Sequence, residues 1–158
     1  RESQPAGESE ALNDIVLYPG KISKMIEFEV YIDNLFAFSQ RSDGIIISTP
    51  TGSTAYALSG GGPIMHPNLD AIVLVPMNAH TLSARPIVVN INSRIDIIIA
   101  ETNPHNPQIS CDGQLTFAVK PGDKISIRKK TRQLWVLHPA DYDYYRVLRS
   151  KLGWGSRL

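Results

Sequence analysis

Cysteine is almost missing from this chain, since Cys111 is the single one among 158 residues. One cysteine excludes an intrachain disulfide framework and a cysteine-based zinc cluster, and it favours a cytoplasmic protein. The four histidines lack the spacing of metal ligands, so a loop or surface position is expected for each. A secretory leader pattern and an apolar run of transmembrane length are also lacking, and the sequence therefore predicts no membrane partner.

An excess of charge of either sign is lacking as well. The formal net charge is +1, which gives no reason to expect binding to nucleic acid or to a membrane surface. Hydrophobic residues make up 42% and charged residues 20% of the chain, the proportions of an ordinary soluble protein. A chain of 158 residues is long enough for one domain with its own core.

Short apolar or alternating runs dominate the sequence. Residues 26–32 alternate with period two, which places Phe28, Val30 and Ile32 on one face, and Asp33-Asn34 after them is typical of a hairpin turn. The pattern predicts a mainly β domain, an antiparallel β-sandwich or a related architecture, over residues 11–158. Residues 1–10 are polar and aperiodic, which predicts a linker. The predicted strands are residues 15–18, 26–32, 35–39, 45–48, 71–75, 87–91, 95–99, 115–119, 124–128 and 133–137.

Two short helices are predicted beside the strands. The first begins at about Ser53 and ends at the three glycines that start at Gly60, because glycine readily adopts positive φ and breaks helices. The second spans residues 141–152, with Asp141 as its N-cap and Gly153 at its end.

The most informative stretch is the one in which a buried strand, residues 45–48, leads through a Gly/Ser/Thr turn into the first helix. Backbone N–H groups and hydroxyls gathered at that point suit a nucleotide or another anionic, polyhydroxylated ligand. Two familiar phosphate-binding patterns fail, since the turn has no Walker A lysine and its glycines do not have dinucleotide-fingerprint spacing. On spacing alone, an ordinary strand–helix connection is the commoner explanation.

Longer motifs change that balance. The strings Arg41-Ser-Asp-Gly44, Ser48-Thr-Pro-Thr-Gly-Ser-Thr-Ala-Tyr56 and Gly61-Gly-Pro-Ile-Met-His-Pro67 closely resemble the bacterial NAD kinase family. Ala11-Leu-Asn-Asp14 resembles its Asn-Glu/Asp motif, and Ile109-Ser-Cys-Asp-Gly-Gln114 matches further on. The family's Gly-Gly-Asp-Gly motif, the source of its presumed catalytic aspartate, is absent from this chain.

The resemblance implies the C-terminal domain of an NAD kinase, with an N-terminal α/β domain lying outside this chain and the 141–158 tail packing on it. The implied activity is ATP-dependent phosphorylation of the 2′-hydroxyl of the adenosine ribose of NAD to give NADP, with a divalent ion, Mg²⁺, accompanying ATP. It also implies a homo-oligomer, a tetramer, in which some NAD contacts cross a subunit interface. No catalytic or metal-binding residue is expected here, so the isolated chain is predicted to be inactive.

Matching positions give the expected NAD-binding residues. Asn13 offers a donor and an acceptor while Asp14 only accepts, which suits ribose hydroxyls. By themselves, Asn13 and Asp14 are typical turn residues, Tyr56 is typical of a core, and Arg41 of an exposed edge. The resemblance implies NAD contacts at Asn13, Asp14, Lys24, Arg41, Asp43, Thr54, Ala55, Tyr56, Ala57, Leu58, Ser59 and Gln114.

Two other functions stay open on the sequence. A diacylglycerol- or sphingosine-type lipid kinase has the same two-domain plan, although the Thr-Gly-Ser-Thr-Ala-Tyr string together with Asn-Asp favours an NAD kinase. A non-catalytic β-sandwich binding module is the alternative from another class.

Overall fold

The computed structural model describes residues 7–20, 24–79, 83–132, 134–153 and 155. Within them the chain forms ten strands, a 3-10 helix Gly52–Thr54 and two α-helices, α1 Tyr56–Ser59 and α2 Tyr144–Leu152. The strands are β1 Asp14–Tyr18, β2 Ile26–Ile32, β3 Leu35–Ser42, β4 Gly44–Ser48, β5 Ala71–Met77, β6 Ile87–Asn90, β7 Ile95–Ile99, β8 Gln108–Cys111, β9 Leu115–Ala118 and β10 Lys124–Ile127.

The strands form two sheets with antiparallel pairing throughout. Sheet A has the order β6-β5-β4-β1-β8-β9, and sheet B has the order β10-β7-β2-β3. Leu17 and Ile45 of sheet A share one buried cluster with Phe28 and Ile97 of sheet B, so the two sheets face each other across the main core. The predicted mainly β antiparallel sandwich with two short helices is confirmed.

Sheet A is buried on both faces near its centre. Side chains alternate along a strand, so Ile45 and Ile47 of β4 point into the main core while Ile46 points to the outer face. There Ile46 packs with Val75, Ala57 and Met65 in a second cluster. The apolar run in β4 therefore reflects a strand covered on both sides, by sheet B and by α1 with the loop after it.

The predicted hairpin between β2 and β3 is confirmed. Asp33 and Asn34 have φ angles of 51° and 66°, the left-handed conformation that a two-residue type I′ turn needs at both positions. Phe28, Val30 and Ile26 of β2 are buried on the core face, as the period-two pattern indicates.

One strand was missed, and one predicted strand was wrong. β8 was not predicted, because Gln108 and Ser110 interrupt its apolar residues and the run is only four residues long. The predicted strand 133–137 is not formed over residues 134–137, and Leu134, Trp135, Val136 and Leu137 are all exposed. Residue 133 lies outside the described residues. Apolar content alone signals a strand only where a neighbour is available to pair with it.

Both helix predictions need correction at their starts. The first helix consists of two pieces, the 3-10 helix and α1, separated by Ala55 with φ −99° and ψ −129°. The second begins at Tyr144, and its N-cap is Asp143 rather than Asp141, because the Asp143 carboxylate accepts a 3.0 Å bond from the Arg146 amide. Its predicted end at Gly153 is confirmed by a left-handed C-cap at φ 61°.

No helix among the described residues is long and apolar enough to cross a membrane. Residues 7–10 adopt neither helix nor strand, while residues 1–6 lie outside the described part, so the linker over 1–10 stays a prediction. Packing of the 141–158 tail on a further domain also stays a prediction, and Trp154 lies outside the described residues.

Candidate functional site

A cleft of about 670 Å³ opens on the outer face of sheet A. Its size is within the range that small-molecule and cofactor sites occupy. Its floor and walls come from β1, β8, β9, the end of β5, the β3–β4 junction and the start of α1. The lining residues are Asn13, Asp14, Val16, Tyr18, Pro19, Gly20, Asp43, Ala55, Tyr56, Met77, Ser110, Asp112, Gly113 and Thr116.

Strand alternation explains why polar groups lie on the floor of the cleft. Leu17 of β1 and Ile109 of β8 face the main core, so Val16, Tyr18 and Ser110 face outward. Val16 is paired with Ser110 in the ladder, and Ser110 is paired with Thr116 of β9. The Tyr18 hydroxyl donates to Gln108 Oε1 at 2.9 Å, which holds the ring over the neighbouring strand.

The wall formed by Ala55 and Tyr56 is held by the turn before it. Ser53 is fully buried, its hydroxyl lies 2.6 Å from the Pro50 carbonyl, and it accepts a 2.9 Å bond from the Met65 amide. The amides of Gly52, Ser53 and Ala55 bond to Thr49 Oγ1, Pro50 O and Gly52 O. The amides of Gly52, Ser53 and Ala55 are thus used within the turn and α1 has only four residues, while the anion-binding role expected for this turn stays a prediction.

Asp43 forms the opposite wall at the point where the chain passes from sheet B to sheet A. It lies between β3 and β4, and its amide donates to the Met77 carbonyl at 3.0 Å. The next residue, Gly44, has φ 137° and lies so close to β1 that a β-carbon would be 1.9 Å from the Leu17 carbonyl oxygen. Glycine is required for this crossing. The Asn78 side-chain amide donates to Asp43 Oδ2 at 2.9 Å and orients the carboxylate.

Residues 12–14, which lead into β1, are fixed from two directions. Asp112 accepts hydrogen bonds from three consecutive amides: Leu12 N to Oδ2 at 2.7 Å, Asn13 N to Oδ1 at 2.7 Å and Asp14 N to Oδ1 at 3.0 Å. On the other side, the Asn13 carbonyl accepts from the Thr49 amide at 2.9 Å and the Leu12 carbonyl accepts from the Thr49 hydroxyl at 2.7 Å. The ends of β1, β4 and β8 therefore meet here.

The two carboxyls at this end of the cleft have opposite pKa shifts. Burial and then the negative charge of Asp112 raise the pKa of Asp14. Burial acts to raise the pKa of Asp112 as well, but the three backbone amides that bond to its carboxylate outweigh it, so the pKa is lowered. The three amides thus stabilise the charged form of Asp112. A hydrogen-bond donor on a ligand would stabilise the charged form of Asp14 in the same way.

The structure brings five of the twelve sequence-predicted residues into the cleft lining: Asn13, Asp14, Asp43, Ala55 and Tyr56. Thr54, Leu58 and Ser59 lie on the same helical segment without lining the cleft. The side chain of Ala57 is fully buried in the outer-face cluster, so it supports the wall from behind.

The three remaining predicted residues lie apart from the cleft lining. Arg41 Nε is 3.6 Å from Glu27 Oε1 on the exposed face of sheet B. Lys24 lines a separate small crevice with His105. Gln114 is exposed in the β8–β9 turn, where its amide bonds to the Cys111 carbonyl. Within one chain, neither Arg41 nor Lys24 contributes to the lining of the cleft.

Asp112, Tyr18, Ser110 and Thr116 were missed as site residues. Ser110 lies in β8, Thr116 lies in β9 and Asp112 lies in the turn between them, and without a predicted β8 no pattern placed that hairpin beside β1. Asp112 did have a signal, because Asp-Gly following an alternating run is a turn pair, and its φ of 51° is the left-handed conformation.

Comparison with known proteins supplies the family. The ATP-NAD kinase C-terminal domain matches residues 12–138, which is most of the chain. This chain belongs to that family. It is 61% identical over all 158 residues to the NAD kinase of Azotobacter vinelandii and covers 54% of that protein. The chain therefore spans about half the length of the curated relatives it matches.

Solved structures of the family have the same fold. A yeast NADH kinase in complex with NADH superposes on 94% of this chain with a TM-score of 0.85 and 30% sequence identity, and the match covers 45% of the yeast chain. An NAD kinase from Archaeoglobus fulgidus in complex with ATP matches 77% of this chain and 46% of its own, with a TM-score of 0.69 and 31% identity.

Proposed function

We propose that the protein containing this chain is an ATP-dependent NAD kinase, which phosphorylates the 2′-hydroxyl of the adenosine ribose of NAD to give NADP. One observation carries the proposal. Asn13 and Asp14, Asp43, and Ala55 with Tyr56 are separated in the sequence, but they line one cleft on the outer face of sheet A. Family membership then favours NAD over a lipid as the ligand.

The chemistry of the lining suits the nucleoside parts of a dinucleotide. Asn13 can donate and accept, and the carboxylates of Asp14 and Asp43 accept hydrogen bonds from ribose hydroxyls or an amide. The half-exposed ring of Tyr56 offers an apolar face for a base. None of the described residues that line the cleft is a lysine or an arginine, so their contacts favour the sugars and rings rather than the phosphates.

Phosphoryl transfer depends mainly on positioning and on stabilising charge, with a metal ion bridging the donor phosphates. Among the described residues, no three His, Cys, Asp or Glu side chains are placed to hold a metal ion. Both oxygens of Asp112 are also used by backbone amides. We propose that Mg²⁺ accompanies ATP and that the general base and the ATP site belong to the remainder of the protein, while this chain orients NAD.

Assembly is the remaining part of the proposal. Arg41 is exposed outside the cleft of its own chain, and a role in NAD binding therefore requires a neighbouring subunit. We propose a cytoplasmic homo-oligomer, a tetramer formed through these domains, in which Arg41 of one copy approaches the cleft of another.

The proposal is tested by measuring NADP formation by the full-length protein with ATP, Mg²⁺ and NAD. Diacylglycerol and sphingosine serve as competing acceptors, and a chain of residues 1–158 alone serves as the matched control. We expect NADP from the full-length protein, no phosphorylated lipid, and no product from the short chain. A lipid product without NADP would establish the lipid-kinase alternative, and no product at all would favour a binding module. NADP made by the short chain would show that the catalytic base lies within these residues.

A further inference from the structure

We propose that Asp112 is a positioning residue, which holds residues 12–14 in the conformation in which Asn13 and Asp14 contact the dinucleotide. This inference rests on the proposed function. It assigns to the Cys111-Asp112-Gly113 turn a part in acceptor binding that is exerted through another segment of the chain, about a hundred residues away in sequence.

The carboxylate geometry supports an indirect role. Asp112 Oδ1 accepts from Asn13 N and Asp14 N, and Oδ2 accepts from Leu12 N, all within 3.0 Å. An anionic acceptor shared by consecutive amides is a strong arrangement, because charge-assisted hydrogen bonds are stronger than neutral ones. Three of the about four lone-pair sites of this carboxylate already accept from the protein, so Asp112 acts on a ligand mainly through the segment that it holds.

The backbone of Asp112 completes the arrangement. Its amide donates to the Asp14 carbonyl at 3.0 Å, which continues the β1–β8 ladder beyond the Ile15–Cys111 pair. Asp112 has φ 51° and the next residue, Gly113, has φ 68°, so the turn directs the side chain back over the start of β1. Asn13 and Asp14 both line the cleft directly beside this contact.

The carbonyl side of the same segment shows why its N–H side needs a fixed partner. Thr49 holds the Leu12 and Asn13 carbonyls, and these bonds constrain only one edge of the strand. Without the carboxylate, three consecutive amides at the rim of the cleft would need other acceptors. The Thr49 contacts and the bond from the Asp112 amide to the Asp14 carbonyl would remain, but the N–H groups of residues 12–14 would have no fixed acceptor, and the side chains of Asn13 and Asp14 would be less firmly directed.

Asp112→Asn in the full-length enzyme is the direct test. Asparagine tolerates the left-handed conformation and nearly preserves shape, but it removes the charge and places an NH₂ group against amide donors. Asp33→Asn is the matched control. Asp33 has the same φ of 51° and its Oδ1 accepts the Arg94 amide at 2.8 Å, but it lies in the β2–β3 turn and does not line the cleft.

We expect Asp112→Asn to raise the KM for NAD about tenfold or more, while kcat and the KM for ATP change little. Asp33→Asn leaves all three constants near wild type. An unchanged KM for NAD in Asp112→Asn would overturn the proposal. A fall in kcat together with a rise in both KM values would also overturn it, because that combination indicates a general structural defect. If the wild-type enzyme makes no NADP, the proposed function fails instead.

Hydrogen exchange of the same variants tests the structural part without any activity. In Asp112→Asn, the amides of residues 12–14 should exchange faster, while the amides of β5 and β7 keep their protection. Unchanged exchange at residues 12–14 would show that the carboxylate does not hold the segment, and it would overturn the inference whatever the enzyme does. Loss of protection throughout sheet A would also overturn it, since Asp112 would then be a general stabilising residue.

Discussion

Gly52 lies so close to Asn13 that a β-carbon on it would be 2.1 Å from the Asn13 carbonyl oxygen and 2.6 Å from the Asn13 α-carbon. The turn after β4 therefore rests directly on the segment before β1. This contact brings two of the sequence motifs together, the one with Asn13 and Asp14 and the one with Ala55 and Tyr56.

Gly52→Ala is expected to destabilise the protein by about 1–3 kcal/mol, because the added methyl group meets backbone that cannot move aside cheaply. The KM for NAD should rise as well, since relief of the clash displaces Asn13. Thermal unfolding and steady-state kinetics of the full-length enzyme measure the two effects.

Gly7→Ala is the control for that variant. A β-carbon on Gly7 would make ordinary contacts of 3.7–3.8 Å with the ring of Phe117. Its melting temperature should stay close to wild type. A Gly52→Ala enzyme with wild-type stability and KM would show that the turn and the 12–14 segment separate without cost.

Asp43→Ala in the full-length enzyme should reduce NAD affinity by roughly one to two orders of magnitude, the loss expected for a charge-assisted hydrogen bond. The fold should remain, because Asp43 is only partly buried and its structural bond to Met77 uses the backbone. Isothermal titration with NAD measures the affinity.

Asp70→Ala is the control for Asp43→Ala, since Asp70 is 81% exposed and its ion pair with Lys129 lies outside the cleft lining. Equal affinities of Asp43→Ala and Asp70→Ala for NAD would show that Asp43 does not bind NAD.

Asp96 is a nearly buried carboxylate on sheet B. Burial acts to raise its pKa, but hydrogen bonds from Ser126, Lys124 and Arg94 outweigh burial and lower it. The Ser126 hydroxyl lies 2.6 Å from Oδ1, and Lys124 Nζ lies 3.0 Å from Oδ2. A lowered folded-state pKa means that ionised Asp96 contributes stability above its usual pKa, and this contribution is lost as the pH falls through the folded-state value.

Asp96→Asn should therefore cost about 2 kcal/mol of unfolding free energy at pH 7, since it removes the negative charge beside Arg94 and Lys124 and leaves one acceptor oxygen in place of two. The difference from wild type should shrink below about pH 4. Urea unfolding at pH 7 and at pH 3 measures it, with Asp141→Asn as a control because Asp141 is 81% exposed beside Arg146. A difference that grows towards low pH would contradict the assigned sign.

Arg41→Ala should weaken NAD binding only in the assembled protein. Arg41 lies outside the cleft lining of its own chain, so in the proposed oligomer its contact with NAD is made in the cleft of another copy. Light scattering over a dilution series, with NAD titrations at the same concentrations, tests this. Arg128→Ala is the control, because it removes one exposed cation beyond the end of β10. Lys124 is not suitable, because it contacts Asp96. A monomer that binds NAD with full affinity, or an Arg41→Ala enzyme equal to wild type, would contradict this prediction.

Local patterns in the sequence determined much of the fold. The alternation of residues 26–32, the Asp33-Asn34 pair and the apolar run of β4 predicted strands and a hairpin that the structure has. These features depend only on residues that are neighbours along the chain, so the period of the side chains and the preferences of the turn residues reveal them. The prediction failed at β8 and at residues 134–137, because pairing depends on which strand lies alongside.

The sequence by itself also determined the family resemblance and, with it, five residues of the cleft. Only the tertiary structure decided that Asn13, Asp43 and Tyr56 lie together, that Arg41 lies elsewhere, and that Asp112 holds the start of β1. The physical reason is that antiparallel pairing of β1 with β8 joins residues about a hundred positions apart, and no local period encodes such a register. The direction of the Asp112 carboxylate follows from that pairing and from a left-handed turn, and the Asp-Gly pair signals the turn but not the strand that the carboxylate meets.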